Sequence, residues 1–301
     1  MTKVGYVTIL GLPNAGKSTL LNALLGQKLS IITRKPQTTR KQILGILTEE
    51  DYQIIFLDTP GILKPNYLLQ EKMMNFISSS IYDADIILII IDLSNDKDGQ
   101  KILSNDIIKK ILKNKSKPVL LLLNKIDLSK EEDVKNLIAL FESTQNFTSV
   151  IPISALYNMN KEKLIFDILK ILPEGHKLYP DDIIADASER FFVSEIIREK
   201  LLEQFQEEIP YSCEVIIAEF KEREKSKDFI SAEIVVERQS QKGIIIGKGG
   251  AALKKLGKIS RKAIEEFLGR EVYLELRVKV RQNWRSDENF LKSFGYSKNK
   301  D

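Results

Sequence analysis

The stretch Gly11–Ser18, GLPNAGKS, has the residue types and the spacing of a loop that binds phosphate groups, G-x-x-x-x-G-K-[S/T]. It follows a strand-like run, Val4–Leu10, and opens a helix-like segment, Lys17–Leu25, which is the context that this motif requires. Its glycines let backbone N–H groups approach the phosphates, and the start of a helix adds a favourable dipole. The predicted phosphate-binding residues are Gly11, Asn14, Ala15, Gly16, Lys17, Ser18 and Thr19, joined later in the chain by Gly61.

The hydroxyl of Ser18 and the carboxylate of Asp58 predict that Mg²⁺ binds beside those phosphates. A lysine in the place of Lys17 reaches the β- and γ-phosphates, and a hydroxyl in the place of Ser18 binds the metal. Asp58 ends another strand-like run, Ile54–Asp58, where its carboxylate would hold the metal through water. The sequence therefore predicts a metal-dependent nucleotide site.

The segment between Ser30 and Ile43 supplies two candidates for a further metal ligand, Thr38 and Thr39. A switch loop needs a hydroxyl that joins the Mg²⁺ only when a γ-phosphate is present. We favour Thr39, because it directly precedes Arg40 as in related switches, and Thr38 stays the alternative. The predicted switch residues are Thr38, Thr39, Arg40, Asp58, Thr59, Pro60, Gly61 and Ile62.

A second motif, Asn124–Asp127 (NKID), points to guanine as the base. The Asp127 carboxylate can accept hydrogen bonds from N1–H and N2–H₂ of guanine, and adenine offers no such pair of donors. An unpaired buried carboxylate is costly, so this contact would discriminate by rejection. The stem of Lys125 could cover the ring, and in Ser154–Leu156 the N–H of Ala155 could point at guanine O6. The predicted guanine-binding residues are Asn124, Lys125, Asp127, Ser154, Ala155 and Leu156.

Residues up to about 172 alternate between apolar strand-like runs and segments with the period of a helix. This alternation predicts an α/β domain with a mostly parallel sheet, whose ligands bind at the carboxyl ends of the strands. The predicted strands are Val4–Leu10, Ile43–Thr48, Ile54–Asp58, Asp85–Asp92, Pro118–Asn124 and Val150–Ser154. The predicted helices are Lys17–Leu25, Leu68–Ile81, Gln100–Leu112, Glu131–Phe141 and Lys161–Leu172.

The stretch Leu172–Asp182, LPEGHKLYPDD, is the best candidate for a linker, because it has two prolines, a glycine and few core residues. The pattern then changes to that of an α+β domain. Its predicted elements are a helix (Ser188–Glu207), two alternating strands (Glu214–Phe220 and Phe229–Glu237), a glycine-rich turn, a basic helix (Ala251–Leu268) and a third strand (Val272–Val280). We therefore expect a nucleotide-binding domain at 1–175, a linker at 176–185 and a second domain with a C-terminal tail at 186–301.

The second domain carries the stretch Gly247–Gly250, GKGG, directly before its basic helix. With an α-β-β-α-α-β order, this G-x-x-G loop indicates a type II KH domain, which clamps about four nucleotides of single-stranded nucleic acid. Residues 242–285 hold 12 Lys and Arg against 4 Asp and Glu, whereas residues 181–241 hold 8 against 16. Clustered basic charge is typical of a surface that binds a polyanion. The predicted RNA-binding residues are Ile244, Ile245, Ile246, Gly247, Lys248, Gly249, Gly250, Lys254, Lys255 and Lys258, with the isoleucines lining an apolar groove under the bases.

The composition narrows the class of protein. The chain has 301 residues, 43% apolar and 29% charged, which fits two globular domains. Its apolar runs are far shorter than the roughly 20 residues of a membrane-spanning helix, and we expect no signal peptide because a strand-like run follows Lys3. With one cysteine, Cys213, and one histidine, His176, neither an internal disulfide nor a Cys/His zinc site is expected. These features indicate a reducing cytoplasm.

Several stretches together resemble the bacterial Era GTPases, in which a Ras-like GTP-binding domain precedes a C-terminal KH domain. They are GLPNAGKS, PQTTR, DTPG, NKID, SAL, and IIGKGG followed by VKVRQNWRSDENFLKSFGY. The resemblance covers nearly the whole chain. It implies a GTPase that uses GTP, GDP and Mg²⁺, binds the 3′ end of 16S ribosomal RNA and assists maturation of the small (30S) ribosomal subunit. It also implies a monomeric cytoplasmic protein that associates peripherally with the inner membrane.

Ile62 occupies the position where many GTPase switches carry a glutamine that orients the attacking water. Its side chain can neither donate nor accept a hydrogen bond, so we expect slow intrinsic turnover. Asn14 resembles the asparagine of those GTPases in which K⁺ sits beside the phosphates and acts where an arginine finger acts. The alternative is that Asn14 only caps its loop by hydrogen bonding. We further expect RNA on the KH domain to raise turnover or GTP affinity.

Two other functions stay open at this point. The chain could be a GTP-gated RNA-binding module in which hydrolysis is incidental, given Ile62. It could also be a membrane-associated signalling GTPase that places its basic stretch against anionic lipid. Hydrolysis measured in K⁺ with RNA present, and binding to liposomes, would separate these alternatives from a GTPase that assists ribosome assembly.

Overall fold

The computed structural model describes residues 2–33, 35–224 and 226–296, which fall into two compact units. The first unit contains the described residues up to Lys64 and those from Met73 to Asp186. The second contains Pro65–Lys72 and the described residues from Ala187 onward. Along these described ranges, no helix is both long enough and apolar enough to cross a membrane.

The first unit is built on a seven-stranded sheet with helices between the strands. Its strands are β1 (Thr2–Gly11), β2 (Ile43–Thr48), β3 (Tyr52–Asp58), β4 (Ile86–Asp92), β5 (Val119–Asn124), β6 (Ser149–Ile153) and β7 (Glu174–Gly175). The order is β2-β3-β1-β4-β5-β6, with β7 paired to β1, and all pairs are parallel except β2–β3 and β1–β7. The helices are α1 (Lys17–Leu25), α2 (Leu68–Asp83, which belongs to this unit from Met73 onward), α3 (Gln100–Leu103), α4 (Asp106–Asn114), α5 (Glu131–Ser143) and α6 (Lys161–Ile171).

The central strands form because their sequences are almost entirely apolar. Every residue of β4 (IILIIID) and β5 (VLLLLN) is buried, as expected for parallel strands covered on both faces. Their registers align Ile9 with Asp58 and Asp92 with Asn124. The carboxylates of Asp58 and Asp92 and the amide of Asn124 therefore lie at the same edge of the sheet, and the predicted α/β fold with a mostly parallel sheet is confirmed.

The helix predicted at Gln100–Leu112 is wrong as a single element, because the chain forms two helices, α3 and α4. Asn105 between them has an extended backbone, with φ −67° and ψ 137°, and its side chain accepts a hydrogen bond from the N–H of Ile107. An asparagine that satisfies the first N–H groups of a helix favours a new start at this point. The apolar period runs through the break, so periodicity alone could not place it.

The segment that follows α6 is fixed to the first unit by a buried glutamine. The Gln53 side chain accepts hydrogen bonds from the N–H groups of Leu178 (2.8 Å) and Tyr179 (3.0 Å), and donates to the carbonyl of Tyr179 (2.8 Å). Further along, Ala185 forms an isolated antiparallel bridge with Gly45. The domain boundaries expected from the sequence, with a linker at 176–185, stay a prediction.

The second unit has a three-stranded sheet covered by helices. Its elements are α7 (Glu189–Gln204), α8 (Ile209–Ser212), β8 (Glu214–Lys221), β9 (Asp228–Val236), α9 (Gln239–Ile246), α10 (Ala251–Leu268), β10 (Val272–Val280) and α11 (Glu288–Ser293). The sheet order is β10-β9-β8, with β8 antiparallel and β10 parallel to β9. Apart from the short helices α8 and α11, this is the predicted α-β-β-α-α-β order, so the predicted KH fold is confirmed.

Candidate functional site

A cavity of about 540 Å³ lies at the edge of the first unit's sheet where β1, β5 and β6 end. It is lined by residues of the phosphate loop, the switch segment and the two predicted guanine motifs. Of the predicted site residues, those that line it are Asn14, Gly16, Lys17, Ser18, Thr19, Thr38, Thr39, Gly61, Asn124, Lys125, Asp127, Ser154, Ala155 and Leu156. Four separate sequence motifs therefore meet at one cavity.

The phosphate loop turns between β1 and α1 through residues with left-handed backbone. Asn14 has φ +62° and Gly16 has φ +101°. A Cβ atom at Gly16 would lie 2.3 Å from Nδ2 of Asn124, so only glycine allows this approach. The loop then feeds into the first turn of α1 at Lys17, and the N–H groups of that turn face the cavity end of the helix.

Three oxygen-bearing side chains from different segments meet at the phosphate end of the cavity. The Ser18 hydroxyl lies 2.8 Å from Oγ1 of Thr39 and donates a 2.8 Å hydrogen bond to Oδ2 of Asp58. Ser30, which we did not predict, donates a 2.9 Å hydrogen bond to the same Asp58 oxygen. Burial raises the pKa of Asp58, while Ser18, Lys17, Ser30 and Thr39 oppose that rise.

This arrangement fits Mg²⁺. Oδ1 of Asp58 is buried and has no hydrogen-bond partner within residues 2–33, 35–224 and 226–296, so it can accept from a metal-bound water. Over the same ranges no group of three or more His, Cys, Asp and Glu side chains could hold a metal ion. A metal here would need phosphate oxygens as ligands, as Mg²⁺ in nucleotide sites does.

The two threonines of the switch segment have different partners. Thr39 is buried with its hydroxyl beside Ser18. The Thr38 hydroxyl instead donates to the carbonyl of Lys35 at 2.7 Å and lies 2.8 Å from Oγ1 of Thr33. The geometry therefore favours Thr39 over Thr38 as the metal ligand.

The Lys17 ammonium is buried and bonded to the loop that it serves. It donates to the carbonyls of Gly11 (3.2 Å) and Leu12 (2.9 Å). Burial lowers the pKa of Lys17 to about 8, and the charge of Asp58 opposes that shift. A phosphate in the cavity would add negative charge beside this lysine and favour its charged form.

Asn124 joins two walls of the cavity. Its side chain donates to the carbonyl of Ala15 (2.8 Å) and accepts from the N–H of Ala155 (3.0 Å). The expectation that this N–H points at guanine O6 stays a prediction, and in the structure the same N–H is hydrogen-bonded to Asn124. Beside it, Oγ of Ser154 is buried and has no hydrogen-bond partner among the residues that the structure describes.

Lys125 is held by a carboxylate that we did not predict. Its ammonium pairs with Oδ2 of Asp92 at 2.5 Å, and its backbone has φ +67°. Asp92 also accepts from Ser94 and Asn95. Burial works to raise the pKa of Asp92, but these hydrogen bonds, with Lys125 foremost, hold the pKa below its ordinary value. The position of Asp92 after an apolar strand was the available sequence signal.

Several predicted switch residues do not line the cavity. Ile62 is buried in the core, and its N–H donates to the carbonyl of Gly11 at 2.9 Å. The Thr59 hydroxyl donates to the carbonyl of Ile9. Buried as well, and not among the residues that line the cavity, are the switch residues Arg40, Asp58 and Pro60 and the predicted phosphate-binding residues Gly11 and Ala15.

In the second unit, the predicted G-x-x-G loop is an exposed turn between α9 and α10. Gly247, Gly249 and Gly250 all have positive φ. A Cβ atom at Gly247 would lie 2.7 Å from Cβ of Ala252, so glycine is needed for the turn to pack on the next helix. Lys248 in the turn is exposed. Residues 243–246, directly before the loop, are the end of α9.

The three predicted isoleucines before this loop face different ways. Ile244 is 50% exposed, Ile246 is half-buried against the core, and Ile245 is fully buried. The prediction that Ile245 lines an RNA groove is corrected, because consecutive residues of a helix cannot share one face. A cavity of about 810 Å³ runs along α10 and β10, lined by Gly250, Ala251, Leu253, Lys254, Lys255, Gly257, Lys258, Arg261, Leu274 and Leu276. The predicted lysines Lys254, Lys255 and Lys258 thus share one surface with Arg261.

Known protein families match the sequences of both units. The family described as a 50S ribosome-binding GTPase matches residues 6–125, and the KH domain family matches residues 208–285. The first match includes the phosphate loop and the switch segment, and the second includes the G-x-x-G loop.

Full-length relatives carry the same combination. The chain is 46% identical over 299 residues to "GTPase Era" of Clostridium perfringens, covering 99% of each chain. It is 48% identical to "GTPase ERA1, chloroplastic" of Zea mays, covering 97% of this chain and 70% of the relative. The structure superposes on that of a point variant of Aquifex aeolicus Era bound to GDP.AlF4⁻, with 42% identity, a TM-score of 0.91 and coverage of 98% of this chain and 100% of the other. The chain therefore belongs to the Era family of GTPases.

Proposed function

We propose that this GTPase is a nucleotide-dependent switch that binds the 3′ end of 16S ribosomal RNA through its KH domain and assists maturation of the small ribosomal subunit. One observation carries the proposal: a guanine-nucleotide cavity and a basic G-x-x-G surface stand in the same chain. An Era structure in complex with MgGDPNP and nucleotides 1506–1542 of 16S ribosomal RNA supports it. That structure is 42% identical, has a TM-score of 0.92, and matches 99% of this chain and 100% of its own.

The proposed nucleotide site divides its work among the residues of the cavity. Lys17 and the loop N–H groups bind the phosphates, while Ser18 and Thr39 hold Mg²⁺ with Asp58 behind them. When bound, Mg²⁺ neutralises charge that develops on the β- and γ-phosphate oxygens. Asp127 is exposed at the cavity rim, where a guanine would cover it. Guanine would cover this carboxylate and donate hydrogen bonds to it, whereas adenine would cover it without donating. The cost of the unpaired carboxylate gives selectivity against adenine.

The proposed RNA site is the loop 247–250 with the adjoining face of α10. Gly249 and Gly250 would have no atom within 4 Å of an added Cβ, so the loop backbone is open to a close approach. Lys254, Lys255 and Lys258 are exposed and can contact phosphates, while Ile244 offers apolar contact to a base.

The proposed hydrolysis proceeds without a glutamine beside the γ-phosphate. Ile62 is in the core, and among the switch residues that the structure describes no other side chain takes its place as a positioned base. Asn14 belongs to the phosphate loop and lines the cavity, which supports the proposed K⁺ site. We therefore expect slow turnover that depends on K⁺.

The variant Asn14→Ala tests the K⁺ site. If Asn14 holds K⁺, turnover of the variant in K⁺ falls to its level in Na⁺, whereas the wild type is faster in K⁺. GTP affinity should change little, because the cation would act mainly on charge that develops during reaction. An unchanged ratio of the K⁺ and Na⁺ rates in the variant would mean that Asn14 only caps its loop.

The experiment that tests the whole proposal is GTP turnover in K⁺ buffer, with and without RNA that copies the 3′ end of 16S ribosomal RNA. We expect stimulation by the RNA in the wild type. The variant K248Q/K254Q should lose both RNA binding and stimulation. Its matched control is K227Q/K262Q, which removes two lysines of the same unit that are paired with Glu271 and Glu266.

The outcomes separate three functions. RNA binding without stimulation would indicate that the KH domain only delivers the GTPase to its RNA. RNA binding with no hydrolysis at all would favour a GTP-gated RNA-binding module. Failure to bind the RNA would overturn the proposed target.

We also propose that the protein works in the cytoplasm and associates only peripherally with the inner membrane. The basic stretch 242–285 supports this, because clustered lysines attract anionic lipid headgroups. Sedimentation with anionic vesicles, repeated with an excess of RNA, tests it. Salt-sensitive binding that RNA displaces is the expected result.

A further inference from the structure

Helix α4 and its flanks form a second basic surface, this one in the first unit. Residues 97–117 contain 7 Lys and 2 Asp. The apolar side chains of α4 pack into the core, with Ile108 buried and Ile111 and Leu112 against it. Because that face fixes the helix, its lysines point outward. We define the α4 surface as the exposed residues Lys97, Lys109, Lys110, Lys113 and Lys115.

The lysines of α4 lack the ion pairs that other surface lysines have. On α5, α6 and α10, Lys135 pairs with Glu131 (2.7 Å), Lys163 with Asp167 (3.0 Å) and Lys262 with Glu266 (3.8 Å), all four residues apart in sequence. Across residues 2–33, 35–224 and 226–296, the ammonium groups of Lys109, Lys110 and Lys113 form no such pair and no hydrogen bond. Neighbouring like charges on a helix repel, so this clustering is mildly unfavourable in the free protein.

The same feature marks the proposed RNA surface of the second unit. Lys254, Lys255 and Lys258 on α10 are exposed and their ammonium groups are unpaired within the described ranges, whereas Lys262 further along the same helix is paired. In both helices, lysines whose ammonium groups form no ion pair within the described ranges are concentrated on one exposed face. A ligand with regularly spaced negative charges would relieve the repulsion in each case.

The chemistry of the α4 surface favours RNA phosphates over a membrane. A helix that inserts into a membrane surface exposes an apolar face to the lipid, and the apolar face of α4 is already used by the core, which leaves only electrostatic attraction to lipid headgroups. No aromatic side chain lies among residues 97–117, so the surface offers nothing on which a base could stack. Lysines alone contact the backbone, without reading sequence.

We propose that the α4 surface binds the phosphate backbone of RNA that flanks the segment held by the KH domain. This inference rests on the RNA binding proposed above. It adds a contact made by the GTPase unit itself, independent of sequence and sensitive to salt. A long RNA therefore engages two basic surfaces, and a strand that only fills the KH groove engages one.

The test compares two RNAs and two triple variants. The long RNA is nucleotides 1506–1542 of 16S ribosomal RNA, and the short RNA is its last roughly eight nucleotides, about twice what a KH groove clamps. The variant K109Q/K110Q/K113Q removes the centre of the α4 surface. The control K135Q/K163Q/K170Q removes the same charge from the same unit, at two ion-paired lysines and at Lys170, which lies over the Phe166 ring.

We expect the α4 variant to bind the long RNA roughly tenfold more weakly, with a salt slope smaller by about two to three, the value for three lost phosphate contacts. Its affinity for the short RNA and its GTP turnover without RNA should equal those of the wild type, which also shows that it folds. Wild-type affinity of the α4 variant for the long RNA would overturn the inference. So would an equal loss in the control, which would indicate net charge rather than a surface.

Two further outcomes would also contradict the inference or remove its basis. If the α4 variant loses affinity only for anionic vesicles, the surface serves a membrane and the inference is wrong. If the wild type fails to bind even the short RNA, the proposed function is wrong, and the inference about the α4 surface, which depends on it, is wrong too. The short RNA thus distinguishes failure of the inference from failure of the proposed function.

Discussion

Asp58 and Asp92 are buried carboxylates at the carboxyl ends of two strands, and they differ in the hydrogen-bond partners of their oxygens. Asp92 accepts from Lys125, Ser94 and Asn95, so both of its oxygens are used. Asp58 has one oxygen without a partner in the described part of the chain. The pKa shifts accordingly run in opposite directions, raised by burial at Asp58 and lowered by hydrogen bonds at Asp92. Asp92 is therefore a positioning residue, and Asp58 is arranged for a further ligand.

The lowered pKa of Asp92 fixes the pH range in which its ion pair stabilises the fold. The ordinary value is 3.8, and the value in the folded chain lies below it. A depressed carboxyl pKa gives stability that is present above the unfolded value and is lost as the pH falls through the folded value. The pair with Lys125 is therefore intact at neutral pH, where guanine must bind.

The variant Asp92→Asn should weaken nucleotide binding without slowing the chemical step. Removing the charge frees the Lys125 ammonium, so the lysine stem no longer has a fixed position at the guanine end of the cavity. A hydrogen bond to a charged group contributes about 1.5–3 kcal/mol, and about 1.4 kcal/mol is tenfold. We expect KM for GTP to rise roughly tenfold while kcat stays near the wild-type value.

The matched control for this substitution is Asp96→Asn in the same loop. Asp96 is also buried, but it accepts from the N–H groups of Lys101 and Ile102 and does not contact Lys125. Both variants should lose some thermal stability, and only Asp92→Asn should change KM. A similar rise in KM in both would show that the loop, rather than the lysine, is responsible.

At the residue scale, the residues of continuous motifs could be predicted from the sequence, whereas the residues that hydrogen-bond to them from elsewhere in the chain could not. Gly16, Lys17 and Asn124 follow from spacing along the chain, because a phosphate loop and an NKxD motif are continuous in sequence. Ser30 and Asp92 reach their partners across 28 and 33 positions of chain. No local pattern encodes such a contact: the β4–β5 register places Asp92 beside Asn124, and Ser30 reaches Asp58 from a segment outside the strands.

At the scale of elements, buried strands were predicted best. β4 and β5 are continuous apolar runs, which is the pattern expected of strands in a parallel sheet that is covered on both faces. The helix pair α3–α4 was predicted as one helix because a single cap residue, Asn105, decides the break. Helix α11 was not predicted, although its N-cap residue Asp287, whose side chain accepts from the N–H of Phe290, was a local signal.

The segment after α6 depends on one side chain, which makes Gln53→Leu informative. The leucine would leave the N–H groups of Leu178 and Tyr179 without their partner, at a cost of about 1–3 kcal/mol for a buried group. We expect hydrogen exchange to accelerate at these two amides, with little change in the central strands. The control Thr48→Val removes only the hydrogen bond from Gln53 to Thr48 and should leave the segment protected.

The end of the described chain is held by a buried polar cluster, which predicts the effect of Tyr296→Phe. The Tyr296 hydroxyl donates a 2.7 Å hydrogen bond to the buried Glu214 carboxylate. Nearby, Arg198 is bonded through Nε to Glu195 at 2.8 Å. Removing the hydroxyl weakens the solvation of a buried charge, so we expect the second unit to lose about 1–3 kcal/mol of unfolding free energy in urea.

The control for that loss is Tyr273→Phe, the same chemical change at an exposed tyrosine stacked on Phe229. It should leave stability unchanged within about 0.5 kcal/mol, as surface substitutions usually do. Equal stability of the two variants would mean that the Tyr296 hydroxyl contributes nothing to holding the tail.

At the scale of the whole molecule, two ligand sites lie in one chain with little free chain between their units. Ala185 pairs with Gly45 in the first unit, and Ser188 caps α7 of the second, its side chain accepting from the N–H of Phe191. We expect this connection to couple the two ligand sites. Coupling between two bound ligands must also be reciprocal.

The last prediction therefore concerns affinities measured in both directions. If GTP in place of GDP raises affinity for the 16S RNA end by some factor, the RNA must raise affinity for GTP over GDP by the same factor. We expect a factor of at least about five, the lower end of typical coupling. Calorimetry of both titrations checks it, with a Gly-Ser insertion after Ala187 as the comparison. Because the insertion leaves both sites intact and lengthens only the connection, it should preserve each single-ligand affinity and reduce the shared factor towards one. An undiminished factor would show that the coupling does not depend on the short connection.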